Sequence, residues 1–145
     1  MEVQFNFNNR KTHSRTISLK RLVAQLLLNL QPFAAGQGSF IVNNVPADFY
    51  VHTDENNLAV IISYLLNSII GRSRRSCIRV NVKRYNNIIL FHLSDSNTEL
   101  IHTSDHDWQE VNRLAGKLGG CIIEDDIRKK HATVTFSFCS LANAA

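Results

Sequence analysis

The sequence predicts an α+β fold, a two-layer sandwich in which about three helices cover one face of a mixed, mostly antiparallel sheet. Three segments place apolar residues at helical spacing, three or four positions apart. Runs rich in β-branched and aromatic residues lie between these segments, and several form pairs joined by short turns. Groups of strands between helices are typical of the α+β class.

Length and composition predict a single domain over residues 1–145, because a chain of 145 residues with 44% hydrophobic composition can bury one core. We expect the core to span 18–140, after an N-terminal strand and polar linker over 1–16. No apolar run reaches about 18 residues and the first residues are polar, so neither a membrane span nor a signal peptide is expected. Three widely spaced cysteines predict reduced, semi-buried side chains in a cytoplasmic protein: Cys77, Cys121 and Cys139.

The first predicted element is a short strand over 2–8, where apolar and polar residues alternate. Ser18 is predicted to cap a helix that ends before Pro32. Two strands are expected next, over 39–43 and 49–52.

The second predicted helix begins at a cap formed by Thr53 or Asp54 and ends at Gly71. It is apolar almost all round, so it needs cover on both faces. Asn67 is a polar residue in this largely apolar segment, so its side chain needs an explanation. Its amide either lines a cleft or is satisfied by backbone groups inside the core, because a buried amide without partners costs about 1–3 kcal/mol.

The remaining elements continue the same alternation, and Asp95 falls at the end of one of the strands. In order they are strands over 77–83 and 88–93 joined by a hairpin turn, a helix from the Ser104 and Asp107 capping box to Gly119-Gly120, strands over 121–127 and 133–138, and a frayed tail over 142–145.

Several of these segments resemble the motifs of one ATPase superfamily. The matching pieces are Asp54 and Leu58 as an Asp-x-x-x-Leu opening, Leu66-Asn67-Ser68 as the end of Asn-Leu-x-x-Asn-Ala, Asp95 as the acid of Asp-x-Gly-x-Gly, the helix-ending Gly119-Gly120, and Ala132-Thr133-Val134-Thr135-Phe136 as a Gly-Thr-x-Phe box. Over residues 18–140 the chain resembles the ATP-binding domain of sensor histidine kinases, in the histidine-kinase-like (GHKL) superfamily with its Bergerat-type fold.

The resemblance implies a nucleotide site for ATP or ADP with Mg²⁺. Asp95 corresponds to the acid that accepts a hydrogen bond from the exocyclic amine of adenine. Asn67 corresponds to the asparagine that ligates the Mg²⁺ bridging the phosphates, and Ser63 stands in place of the first asparagine of that motif. Thr133 belongs to the box that completes the site. No catalytic residue is assigned.

The departures from the family pattern all fall on the pieces that hold phosphate. Asn97 and Glu99 replace both glycines of the adenine-side loop, and the interval 96–105 contains no glycine, so the backbone cradle and lid of the family are missing. Ile70 replaces the lysine that usually reaches toward phosphate. Because phosphoryl transfer depends on positioning and charge neutralisation, such a site predicts poor kinase activity or loss of the nucleotide.

Other chemistries are weighed against simpler interpretations. His102, Asp105, His106 and Asp107 are metal-ligand types, but their spacing matches no established signature, so a polar loop and helix start is favoured. The two aspartates would also repel phosphate at the helix N-terminus. His13 faintly echoes the phosphate-accepting histidine of the family, and a solvated loop histidine is the better interpretation.

The net charge of +4 is concentrated in clusters near 10–15, 72–75 and 128–130. No aromatic residues interleave with these clusters to stack bases, so nucleic-acid binding is disfavoured. Two functional hypotheses remain for a bacterial two-component signalling setting. The first is a non-catalytic domain that docks a receiver domain, a dimerising histidine-phosphotransfer domain or a second copy of itself. The alternative is a functional ATP-binding catalytic domain, which if active is an ATP-dependent protein histidine kinase.

Overall fold

The computed structural model describes residues 14–96, 108–124 and 132–141. The described helices are α1 (Leu19–Gly36), α2 (Glu55–Arg72) and α3 (Trp108–Lys117). The described strands are β1 (Ser14–Ser18), β2 (Phe40–Asn43), β3 (Tyr50–Asp54), β4 (Cys77–Tyr85), β5 (Ile88–Asp95), β6 (Cys121–Glu124) and β7 (Ala132–Cys139). None of the described helices combines the length and apolarity that crossing a membrane requires.

Five strands form the main sheet in the order β2-β4-β5-β7-β6, and β1 and β3 form a separate two-stranded sheet. The β2–β4 pair is parallel and the other pairs are antiparallel. The helix α2 contacts both α1 and α3, and it also packs on β5. The predicted α+β sandwich with a mixed, mostly antiparallel sheet and three helices is therefore confirmed.

The core lies between the helices and one face of the main sheet. Along β5 the buried side chains alternate with half-buried ones, so Ile89, Phe91 and Leu93 face the helix layer. Phe136 and Phe138 of β7 continue this layer, with ring centroids 5.0 Å apart. Eight residues of α2 are buried, as the apolar pattern predicted for a helix with cover on both faces.

The first helix extends further than predicted, because it continues through Pro32 to Gly36. A proline inside a helix removes one backbone hydrogen bond, which favoured an end before Pro32. The last turn is nevertheless held by complete burial of Ala34 and by the hydrogen bond from the Ser39 N–H to the Ala34 carbonyl, 2.9 Å. Gly38, with φ +69°, then allows the chain to reverse direction.

The polar stretch predicted as a linker up to Thr16 ends in a strand instead. In β1 the backbone pairs with β3, and Ile17 is buried. A five-residue strand with one buried apolar residue has too weak an alternation to be predicted, and its partner in the sheet supplies the hydrogen bonds. The predictions over 2–8, 125–127 and 142–145 lie outside the described residues.

The cysteines are unpaired, as expected, but one differs in burial. Cys77 and Cys139 are half-buried and Cys121 is exposed. The exposure of Cys121 follows from its place on β6, which is one of the two edge strands of the main sheet.

Candidate functional site

Asp95 ends β5, as predicted, and its carboxylate lies under the helices. Its side chain is 3% exposed and follows the buried alternation of Phe91 and Leu93, so it faces the helix layer rather than the open face of the sheet. The next residue holds the strand end in place, since the Ser96 backbone N–H donates to the Cys77 carbonyl and the Ser96 hydroxyl accepts from the Cys77 N–H. This end of the sheet therefore presents a buried acid on rigid backbone.

The helix α2 begins where the sequence indicated. The Asp54 carboxylate caps it by accepting from the backbone N–H of Asn57, at 3.1 Å. Glu55 in the first turn pairs with Arg15 of β1. Both contacts fix the N-terminus of α2 against the two-stranded sheet, and thereby fix which of its faces turn toward the core.

The rotation of α2 decides which polar side chains can line a cleft. Asn67 is exposed and makes no hydrogen bond to another described residue, whereas Ser63 is half-buried. Ser68 lies about 100° further around the helix. Its hydroxyl accepts from Arg72 Nη2 at 3.4 Å, and the same nitrogen donates to Glu124 Oε1 at 2.8 Å. The side of α2 that faces β6 therefore carries Ser68 and Arg72, not Asn67.

Glu124 belongs to the same layer as Asp95. It pairs with Val134 of β7, which in turn pairs with Leu93 of β5, and both partners are buried on the helix side. From standard strand spacings, the Glu124 backbone lies about 12 Å from that of Asp95. The Arg72–Glu124 ion pair thus spans from α2 to β6 over the end of the sheet where Asp95 is buried.

Thr133 lies on the opposite face of the sheet from Asp95. It pairs with Ser94, and the next outward position of β7, Thr135, lies 2.9 Å from the His92 ring. Since side chains alternate along a strand, Val134 occupies the helix-side position near Asp95. The register therefore places Thr133 and Asp95 on opposite faces of the sheet, and a nucleotide site that includes both stays a prediction.

Sequence reasoning did not select Ser68, Arg72 or Glu124 as members of this region. The sequence does indicate a role for Arg72, since it is the basic residue in the last turn of α2, where a cation complements the helix dipole. The glutamate is the exposed last residue of the short strand β6, a position that gives no sequence signal of a partner. The pairing itself joins positions 52 residues apart, and local pattern carries no signal for it.

Asn67, the predicted magnesium ligand, lies on an exposed surface of α2. Magnesium takes oxygen ligands in near-octahedral geometry. Asn67 offers one amide oxygen on an exposed surface, and within the described ranges no group of three or more histidine, cysteine or acidic side chains is placed to hold a metal ion. Several predicted residues lie outside these ranges: His13, Asn97, Glu99, His102, Ser104, Asp105, His106 and Asp107.

The fold is similar to that of solved histidine kinase structures. The histidine kinase AdeS of Acinetobacter baumannii superposes with a TM-score of 0.78 at 12% identity, over 91% of this chain and 70% of that one. The catalytic domain of histidine kinase ThkA gives a TM-score of 0.72 at 10% identity, over 88% of this chain and 96% of the domain. No family model and no curated protein matches the sequence.

Two similar structures were determined with ligands or partners. Full-length ShkA in complex with AMPPNP gives a TM-score of 0.73 at 14% identity, over 91% of this chain and 32% of that one. ThkA in complex with the response regulator protein TrrA gives 0.69 at 10% identity, and this chain spans 43% of that kinase. The chain therefore has the fold of histidine kinase catalytic domains.

Proposed function

We propose that this chain is a histidine-kinase-like ATPase domain of a bacterial two-component signalling protein, in the cytoplasm, whose nucleotide site is degenerate and whose role is protein interaction. One observation carries the proposal. Asn67, the expected magnesium ligand, is exposed on the outer side of α2, while Asp95 is buried beneath the helices. The fold thus encloses one of the two expected ligand groups and leaves the other on the surface.

The charge distribution supports loss of the phosphate end. Among the described residues, Arg72 is the cation on the side of α2 that faces β6. Its charge is already paired with Glu124. Ile70, where the family carries lysine, is fully buried and offers no charge. Together with the missing glycines after Asp95, these features leave little to neutralise a triphosphate.

The alternative is a functional ATP-binding catalytic domain, and Asp95 is the observation that favours it. Asp95 ends β5, and the resemblance assigns that position to the acid that binds the exocyclic amine of adenine. ShkA was solved in complex with AMPPNP.

A thermal-shift experiment separates the two hypotheses. On our proposal, millimolar Mg-ADP or Mg-ATP leaves the melting temperature unchanged. A retained site, filled at 100 times its dissociation constant, adds about 2.7 kcal/mol, which corresponds to about 5–10 °C. A rise that Asp95→Asn abolishes, and that the exposed control Asp48→Asn preserves, would establish the alternative and overturn our proposal.

The interaction role has its own test. The partners we propose are a receiver domain, a dimerising histidine-phosphotransfer domain or a second copy of this chain, and ThkA was solved bound to a response regulator. Light scattering after size exclusion measures self-association, and calorimetric titration with purified receiver and phosphotransfer domains of the same organism measures the others. A monomer that binds none of them at about 100 μM, well above typical signalling affinities, would contradict this role.

A further inference from the structure

A polar cavity of about 290 Å³ lies at the other end of the main sheet from Asp95. It opens where β3, the β4–β5 turn and the end of β7 meet. Asn87, on its wall, directly precedes β5, so the cavity lies about 26 Å from Asp95 along that strand. Its volume is near the lower end of the range for small-molecule sites.

Backbone hydrogen bonds hold the walls of this cavity in place. The Leu141 N–H donates to the His52 carbonyl at 2.7 Å, and the His52 N–H donates to the Ser140 hydroxyl at 2.9 Å. The Ser140 N–H donates to the Asn87 carbonyl at 2.7 Å. Ser140 itself is buried. Three segments that are distant in sequence are thus held together around the cavity, so its walls are preorganised.

The permanent charge on the lining is positive. Arg84 stacks over the Phe49 ring, 4.8 Å from its centroid, and its Nη2 donates to the Tyr50 carbonyl. A guanidinium carries five N–H donors, so most of them remain for a ligand. The described lining residues include no carboxylate that would neutralise this charge.

Neutral hydrogen-bonding groups surround the arginine. Tyr50 and Asn87 line the cavity, and their side chains make no hydrogen bond to another described residue. His52 uses Nδ1 toward the Thr16 hydroxyl, at 3.1 Å, which leaves Nε2 for the cavity. A cation and several uncommitted polar groups around one space, with no built-in anion, are what an oxyanion site needs.

The geometry points to a binding site for a small oxyanion, carried by a carboxylate or a phosphate, that pairs with Arg84 and accepts hydrogen bonds from Tyr50 and Asn87. Leu141 supplies an apolar side chain to the lining, whereas Val51 faces the core and borders the cavity with its backbone. This site is separate from the candidate nucleotide site and does not depend on it.

NMR titration of the ¹⁵N-labelled chain tests the site with defined probes. Sodium phosphate and sodium acetate are each compared with sodium chloride at equal ionic strength. We expect saturable shifts of the amides at 50–52, 84, 87 and 140–141 with an oxyanion and none with chloride. The probe that saturates at the lower concentration identifies phosphate or carboxylate as the preferred group.

Two variants and a matched control make the test specific. Arg84→Gln is expected to weaken binding about tenfold or more, because it removes the charge-assisted contacts. Arg79→Gln removes an exposed arginine from the same strand, outside the cavity, and is expected to leave affinity unchanged. Tyr50→Phe removes only a hydroxyl, so it weakens binding without threatening the fold if Arg84→Gln fails to fold.

The proposal is overturned if shifts stay linear to about 100 mM probe, which indicates only general ionic effects. Equal weakening by Arg79→Gln and Arg84→Gln would also overturn it. Asp95→Asn is expected to leave the titration unchanged, so the outcome here is independent of whether nucleotide binds at the other end.

Discussion

Successive side chains of an α-helix are turned by about 100°, so a change of one residue moves a functional group to another face. Asn67 and Ser68 illustrate this at the residue scale. The asparagine is exposed, whereas the serine hydroxyl is held by Arg72 on the side toward β6. The motif match pointed to Asn67. The rotation of the helix instead places the adjacent residue, Ser68, on the side that faces β6. A bridge from Asn67 to Asp95 through a nucleotide stays a prediction.

His92 is a residue whose protonation is linked to stability. Burial lowers its pKa from the ordinary value of 6.5, and the positive charge of Lys83 lowers it further. Between the lowered pKa and 6.5 the unfolded chain binds more protons than the folded one. This contribution to stability is therefore fully present above pH 6.5 and is lost as the pH falls through the lowered pKa.

We expect His92→Gln to reduce the loss of stability between about pH 7.5 and about pH 5.5, measured by urea unfolding. Lys83→Gln should reduce it by a smaller amount, because it removes the secondary cause of the lowered pKa. An unchanged pH dependence in His92→Gln would show that other groups control it.

At the scale of elements, the junction between α3 and β6 depends on two glycines with different roles. Gly119 has φ +77°, the left-handed conformation that ends a helix. A Cβ on Gly120 would lie 1.6 Å from the Ser137 carbonyl oxygen, so close backbone approach excludes any side chain there. The Gly-Gly pair thus lets the chain turn from α3 directly into β6, against the backbone of β7.

Gly120→Ala is expected to destabilise the fold by about 3 kcal/mol, at the upper end of the range for overpacking. Gly116→Ala is the matched control, since nothing lies within 4 Å of its Cβ position and it is inside α3. That change should stabilise by about 0.5–1 kcal/mol through helix propensity. Equal effects in urea unfolding would contradict the packing argument.

The second prediction at this scale concerns how helices are buried. Leu66 of α2 is fully buried, whereas Leu28 of α1 is 77% exposed. Leu66→Ala should cost about 2–5 kcal/mol through the cavity it leaves, and Leu28→Ala should fall within about 0.5 kcal/mol of zero. Denaturant midpoints of the two variants measure the difference. Similar losses would mean that the outer side of α1 is covered by a partner.

At the scale of the whole molecule, one core joins the two sheets. Ile17 and Val51 of the two-stranded sheet belong to the same buried cluster as Phe91 and Phe136 of the main sheet. We therefore expect one cooperative unfolding transition, with helical circular dichroism and the NMR signals of 14–18 and 50–54 lost together in urea. Earlier loss of those signals would show that the small sheet unfolds by itself.

Local patterns alone determined the order of the described helices and strands after β1, the caps at Ser18 and Asp54, and the position of Asp95 at a strand end. These depend on periodicity and on side-chain hydrogen bonds within a few residues, so they can be read from the chain. The resemblance to histidine kinase domains rested on the same features, and the fold bears it out.

Tertiary structure alone decided the continuation of α1 past Pro32, the pairing of β1 with β3, the face on which Thr133 lies and the ion pair between Arg72 and Glu124. Each of these depends on residues that are distant in sequence and meet only when the layers pack. Burial energy and sheet register act between elements, and a single sequence carries no local signal for them. Packing between elements therefore decided on which face each candidate site residue lies, whereas local pattern decided its place along the chain.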